Sequence, residues 1–187
     1  MNAAASPVVR ASRAQLMDWL DQVMDPEVPV VSVVGLGIVR DVQWQVTAEP
    51  GPARLQVVVT PTYSGCPATE VIARSIREAL QAQGITEVDV TTRLSPAWTT
   101  DWMTEPAREA LRVYGIAPPV GSAQVSADGS QVVDIAALTS TGSRPAVPCP
   151  LCGSTRTRLL SQFGSTACKA LYQCNSCLEP FDYFKPH

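Results

Sequence analysis

The chain has a single histidine, and it is the last residue, His187. Without an internal imidazole, serine–histidine and cysteine–histidine mechanisms have no base, and the carboxylate–histidine sets of di-iron enzymes cannot be built. Gly35-x-Gly37 has no third glycine at the dinucleotide spacing, so no flavin or nicotinamide fingerprint follows from it. No apolar run reaches the roughly 18 residues a membrane helix needs, and Met1–Arg13 lacks the apolar centre of a secretory signal. A basic excess is missing too. Residues 1–120 carry 9 Lys/Arg against 13 Asp/Glu, residues 149–187 carry 4 against 2, and the whole chain has a net charge of −3. Nucleic acid is a poor partner for that balance. These absences describe a cytoplasmic protein with reduced thiols and no membrane partner.

What the chain does have is cysteine in pairs. Cys149 and Cys152, then Cys174 and Cys177, form two C-x-x-C turns separated by 21 residues. Each turn aims two thiolates into one volume, and two turns supply the four soft ligands that tetrahedral Zn²⁺ accepts. Iron accepts the same set. With four protein ligands no position is left for water, so such a metal holds structure and does no chemistry. The search for function moves upstream.

Hydrophobic residues make up 45% of the 187, and charged residues 17%, as in a globular protein. Ser12 and Gln15 form a capping box ahead of Leu16, Trp19, Leu20 and Val23, predicting a helix that runs to about Met24 and breaks at Asp25-Pro26-Glu27-Val28-Pro29. Ile38–Val46 and Arg54–Thr60 read as strands of a hairpin turning at 49–52. A second helix is predicted over Pro67–Gln83, with Val71, Ile72, Ile76, Ala79 and Leu80 on one face and Gly84 at its end. Thr86–Arg93 reads as a strand. Thr104 caps a helix over Glu105–Tyr114, which Gly115 ends. The expected fold is α/β: an N-terminal tail (1–14), a small two-layer α-β-β-α-β-α domain (15–120), a linker (121–148) with room for a short strand at 132–138, and a C-terminal zinc-ribbon module (149–187).

Cys66 is the most suggestive residue upstream of the ribbon. It lies where the second helix begins, so helix amides and dipole favour its thiolate; the alternative is a small buried residue filling space. Asp25 and Glu27 sit in a proline-braced turn, either as solvated acids or as rigid carboxylates for a metal or a basic partner. Cys168, spare once the two pairs are complete, reads as a packed thiol rather than a ligand, although Lys169 beside it would lower its pKa. Tyr172, Phe181, Tyr183 and Phe184 are expected to fill the ribbon's own core rather than stack on bases.

These residues carry a family pattern. Asp25-Pro26-Glu27-Val28-Pro29, Leu36-Gly37-Ile38-Val39 and Thr60…Gly65-Cys66-Pro67 resemble the iron–sulfur assembly family that includes SufT-like proteins. Ser95-Pro96-Ala97-Trp98-Thr99-Thr100-Asp101-Trp102-Met103, Phe163-Gly164-Ser165-Thr166-Ala167-Cys168-Lys169 and Glu179-Pro180-Phe181-Asp182-Tyr183-Phe184 make the whole chain similar to the D-subunit family of phenylacetyl-CoA epoxidase systems. The resemblance implies an accessory, non-catalytic role in aerobic phenylacetate catabolism. In such systems a di-iron oxygenase epoxidises the ring of phenylacetyl-CoA, fed by a reductase carrying flavin and a 2Fe–2S cluster; the family member assembles or maintains that cluster. It further implies a cluster- or partner-facing Cys66, with Asp25, Glu27 and Thr60 in the same site, structural Zn²⁺ in the ribbon, a transient iron–sulfur cluster, and the epoxidase components as partners. A homodimer joining two Cys66 thiols is one way to share a cluster. The family's usual acid before the Leu-Gly pair is replaced here by Gly35, so a role that needs that carboxylate as ligand or base does not carry over by motif; a glycine relaxing the loop around Cys66 is the other reading. Two alternatives stay open: a scaffold docking oxygenase and reductase through the ribbon, and a thiol oxidoreductase using Cys66 with Cys168.

Overall fold

The computed structural model describes residues 10–45, 53–120 and 146–186. The turn expected at 49–52, the strand considered at 132–138, and most of the 1–14 tail and of the 121–148 linker lie outside the described residues.

The first helix, α1, spans Arg13–Leu20, and its capping box is formed as the sequence predicts: Gln15 N–H donates to the Ser12 hydroxyl, and Ser12 N–H donates to the Gln15 side chain. It ends one turn earlier than the periodicity suggests. Val23 is still buried, but its carbonyl accepts the Val33 amide at 2.9 Å, and Met24 makes an isolated bridge with Ser32. Residues 23–33 thus fold back as a compact loop that keeps the apolar spacing without the helix.

β1 (Val39–Gln45) pairs antiparallel with β2 (Arg54–Val59), and β2 pairs parallel with β3 (Val88–Thr92). The parallel pairing requires a crossover, which α2 (Thr69–Ala82) supplies. Its Ile72, Ile76 and Leu80 are buried as the spacing predicts, while Val71 stays at the surface. Burying each of the three is worth about 1.5–3 kcal/mol. After a short 3₁₀ turn at Thr100–Trp102 comes α3 (Glu105–Tyr114), capped by the Thr104 hydroxyl and ended by Gly115 at φ 94. The α-β-β-α-β-α order and the mixed α/β class hold.

The second sheet has the order β4-β7-β6-β5, built from Ile116–Ala117, Pro180–Phe184, Lys169–Cys174 and Thr157–Ser161. Its edge strand β4 comes from the chain just after α3 and pairs parallel with β7. Phe181 and Tyr183 pack in the ribbon's own core, with Tyr172 half-buried against it. Phe184 does not. It is 1% exposed inside the core of the first domain, with its ring 6.1 Å from that of Trp98, and Cys168 joins the same core. The ribbon is therefore packed into the α/β domain.

Candidate functional site

The ribbon cysteines converge as expected. Cys149 and Cys177 Sγ are 3.8 Å apart, Cys152 and Cys174 Sγ 3.5 Å, and all four sulfurs lie within 4.8 Å of one another. A tetrahedron with Zn–S bonds of about 2.3 Å has edges of about 3.8 Å, so the donor set fits a four-thiolate metal. Cys149 and Cys174 are buried, and no donor position remains for a substrate.

The second constellation forms where the ribbon meets the α/β domain. A small cavity of about 10 Å³ is lined by Asp25, Glu27, Cys66 and Cys168, with Ile72 and Phe184 among its apolar walls. Asp25 is only 6% exposed. Its Oδ1 accepts the Glu27 and Val28 amides at 2.8 and 2.9 Å, an Asx turn that holds the acidic loop. Burial raises the Asp25 pKa; the two amides and Lys169 oppose this, and the charge of Glu27 adds to it. Asp25 is thus not a solvated acid.

Cys66 is half-buried in the β2–α2 connection. Its amide donates to Tyr63 O at 3.2 Å, and its carbonyl accepts the Thr69 hydroxyl at 2.9 Å. Because α2 starts at Thr69, Cys66 stands outside the first helical turn and not at its start. The expected activation of its thiolate is overturned: burial raises its pKa, and the Glu27 and Asp25 charges add to this, outweighing the bonds from the Ala68 amide and the Tyr63 hydroxyl. Tyr63, which the sequence did not single out, is pushed up to about 12 by burial and by the charges of Cys66, Glu27 and Cys168. Its position three residues before Cys66 in a turn was the available signal.

Cys168 is 3% exposed, and its Sγ stands 3.0 Å from the Thr166 hydroxyl and 3.6 Å from Glu27 Oε2. The lowering expected from Lys169 does not prevail. Burial pushes the thiol to about 11, against the Thr166 bond and the Lys169 charge. Lys169 is itself buried and pairs with Asp182 at 3.6 Å. A Cβ on Gly164 would stand 2.5 Å from Asp182 Oδ1, so a larger residue there would push on the carboxylate that also accepts the Ser165 hydroxyl at 2.8 Å.

Two expectations are not met. Thr60 is buried and its amide donates to Ile38 O, but it lines a neighbouring cavity of about 180 Å³ with Tyr63 and Trp98. Gly35 does not line the Cys66 cavity either. It borders a separate cavity of about 540 Å³ between α1 and α3, where a Cβ would meet Ser32 Oγ at 3.1 Å and Ala107 Cβ at 3.2 Å.

Fold and site together define a class: an iron–sulfur-assembly-type α/β domain carrying a four-cysteine zinc ribbon. Residues 13–91 match the family model of an iron–sulfur cluster assembly protein, and residues 134–185 match that of the PaaD zinc beta ribbon domain. A curated protein of Escherichia coli (strain K12), provisionally named as the D subunit of 1,2-phenylacetyl-CoA epoxidase, is 49% identical over 166 residues, which cover 89% of this chain and 88% of that one. The chain belongs to this epoxidase D-subunit family. Among solved structures it is similar to a DUF59 domain of unknown function from Bacillus anthracis (30% identity, 52% of this chain, 89% of that one, TM-score 0.45). It is also similar to a Mycobacterium tuberculosis protein described as associated with Fe–S complex assembly and repair (29% identity, 59% of this chain, 96% of that one, TM-score 0.35). Among the described residues, no helix is long and apolar enough to cross a membrane.

Proposed function

We propose that this chain is a non-catalytic accessory subunit of a phenylacetyl-CoA epoxidase system that assembles or maintains the iron–sulfur cluster of the flavin-bearing reductase in the cytoplasm. The observation that carries this reading is the meeting of Cys66, Asp25 and Glu27 at one cavity of an iron–sulfur-assembly-type domain. A thiol flanked by carboxylates offers donor types that iron accepts. One thiol cannot hold a finished cluster, so the cargo passes on to a partner. The ribbon cysteines hold Zn²⁺, which closes the β5–β7 sheet and supplies no open coordination site.

The test is the iron content of the reductase purified from cells lacking this chain. Under-loading, restored by the wild-type chain and not by Cys66→Ala, is expected; full loading without the chain contradicts the proposal.

A scaffold role has one observation of its own: Leu151, Phe163 and Leu178 of the ribbon are 59%, 68% and 68% exposed. On that reading, polar replacements at these residues abolish co-purification with the oxygenase and reductase, while Cys66→Ala changes nothing. The thiol oxidoreductase alternative has less support, because burial raises the pKa of both Cys66 and Cys168 and so lowers their thiolate fraction.

A further inference from the structure

We propose that the ribbon completes the Cys66 site: Cys168 Sγ and the Glu27 carboxylate join Cys66 Sγ as ligands of a single ferrous ion, carried as cargo between the two sheets. This rests on the iron-handling reading of Cys66 and adds two things to it, a second thiol and a limit on what is held.

Sequence distance makes the arrangement informative. Glu27 and Cys168 are separated by 141 residues, yet the buried thiol is 3.6 Å from the oxygen of the partly buried Glu27 carboxylate. A thiol that only fills space needs an apolar neighbour, and a carboxylate is costly to bring there. Two thiols and two carboxylic acids face one void. The buried cation nearest to them, Lys169, already pairs with Asp182. A divalent cation would offset half of the negative charge these four groups carry when ionised.

The donor types narrow the ion. Two sulfurs and an oxygen suit a borderline metal such as Fe²⁺ and suit Mg²⁺ or Ca²⁺ poorly. Asp25 is a positioning residue: its Oδ1 is taken by the Glu27 and Val28 amides, which fix the loop that presents Glu27. Cys168 is fixed from the other side by the Lys185 amide, which donates to its carbonyl at 3.0 Å.

Volume decides between an ion and a cluster. The void of about 10 Å³ is near the smallest that takes one water-sized occupant. A 2Fe–2S unit is much larger than this void, so the site as it stands favours a single ion over a cluster. Among the described residues only the ribbon thiols already lie within 4.8 Å of one another as a group. Ligation therefore requires Cys66 and Glu27 to turn inward as the ion enters. Because the chain's own ribbon supplies the second thiol, a second copy is not needed to complete the site.

The test uses the full chain with its ribbon loaded with zinc, titrated anaerobically with Fe²⁺ and followed by thiolate-to-iron absorption and by iron retained after desalting. The wild type is expected to take one iron per chain, and Cys66→Ser and Cys168→Ser each to weaken binding about tenfold or more. Wild-type binding by Cys168→Ser with loss in Cys66→Ser overturns this inference and leaves the Cys66 reading standing. Equal binding by all three chains overturns both. If Cys168→Ser loses its ribbon zinc or its folded circular dichroism, iron K-edge absorption on the wild type replaces it: two sulfur neighbours are expected, and one or none overturns the inference.

Discussion

The Cys168 thiol donates toward Glu27 Oε2 across 3.6 Å, joining the turn before β6 to the loop after α1. A sequence division at residue 120 would place these two residues in separate modules. The packing of Phe184 and Cys168 into the first core makes the ribbon a wall of the candidate site. The consequences can be measured.

Removal of the ribbon metal should be felt in the α/β domain. The Phe184 ring lies 6.1 Å from Trp98, and the Trp98 indole donates to Leu36 O at 2.8 Å. Chelation should therefore change the tryptophan fluorescence of the wild type, and the change should largely vanish in Trp98→Phe. Phe184→Ala, with the metal retained, should cost about 3–5 kcal/mol in denaturant unfolding. An unaltered spectrum on metal removal would mean that the ribbon folds apart from the domain.

Asp25 separates turn geometry from charge. Asp25→Ala leaves the buried Val28 amide and the partly buried Glu27 amide without their acceptor and should cost about 1–3 kcal/mol. Asp25→Asn keeps an acceptor oxygen and should retain most of that stability. The folded pKa of Asp25 is raised above 3.8, so on lowering the pH the folded state binds the proton first. The stability this adds is fully present below about pH 3.8 and is lost as pH rises through the folded value. Asp25→Asn should remove that component. Chemical denaturation between pH 3 and 7 checks both points, and an Asn variant with the wild-type pH slope would contradict the assignment.

Thiol chemistry should follow burial. With metal in the ribbon, iodoacetamide should modify half-buried Cys66 and leave Cys168 intact at pH 8. The Cys66 rate should keep rising beyond pH 9, because both burial and the neighbouring acids delay its ionisation. Mass spectrometry of timed aliquots reads both residues. A Cys66 rate already level at pH 7 would show an activated thiolate and refute the electrostatic account.

Much of the scaffold was legible because it is local. The Ser12–Gln15 capping box, the Ile72, Ile76 and Leu80 stripe and the Thr104 and Gly115 caps all lie within a few residues of the structure they specify. The four ribbon thiols were legible for the same reason, since the C-x-x-C turn fixes the geometry of each pair. The site was legible only in part. Cys66, Asp25 and Glu27 stand in marked turns, but nothing near Cys168 in sequence announces Glu27 as its neighbour. Its apparent redundancy beside two complete pairs pointed to a packed thiol. The setting of Cys66 also misled: a proline one residue on suggested a helix start, whereas the helix begins at Thr69, and burial with the acids across the cavity sets the thiol's character. Thr60 was placed in the site by resemblance, and the strand end carries it into a different cavity.

The central claim is that the Cys66 site passes iron to the reductase for its cluster, and direct transfer tests it. The full chain, zinc-loaded and then loaded anaerobically with Fe²⁺, is mixed with apo-reductase and sulfide, and the reductase's 2Fe–2S absorption and electron-transfer activity are followed. The account predicts faster loading with the wild-type chain than with iron and sulfide alone, and no acceleration with Cys66→Ser. Equal loading with the wild type, with Cys66→Ser and with no added chain would contradict it.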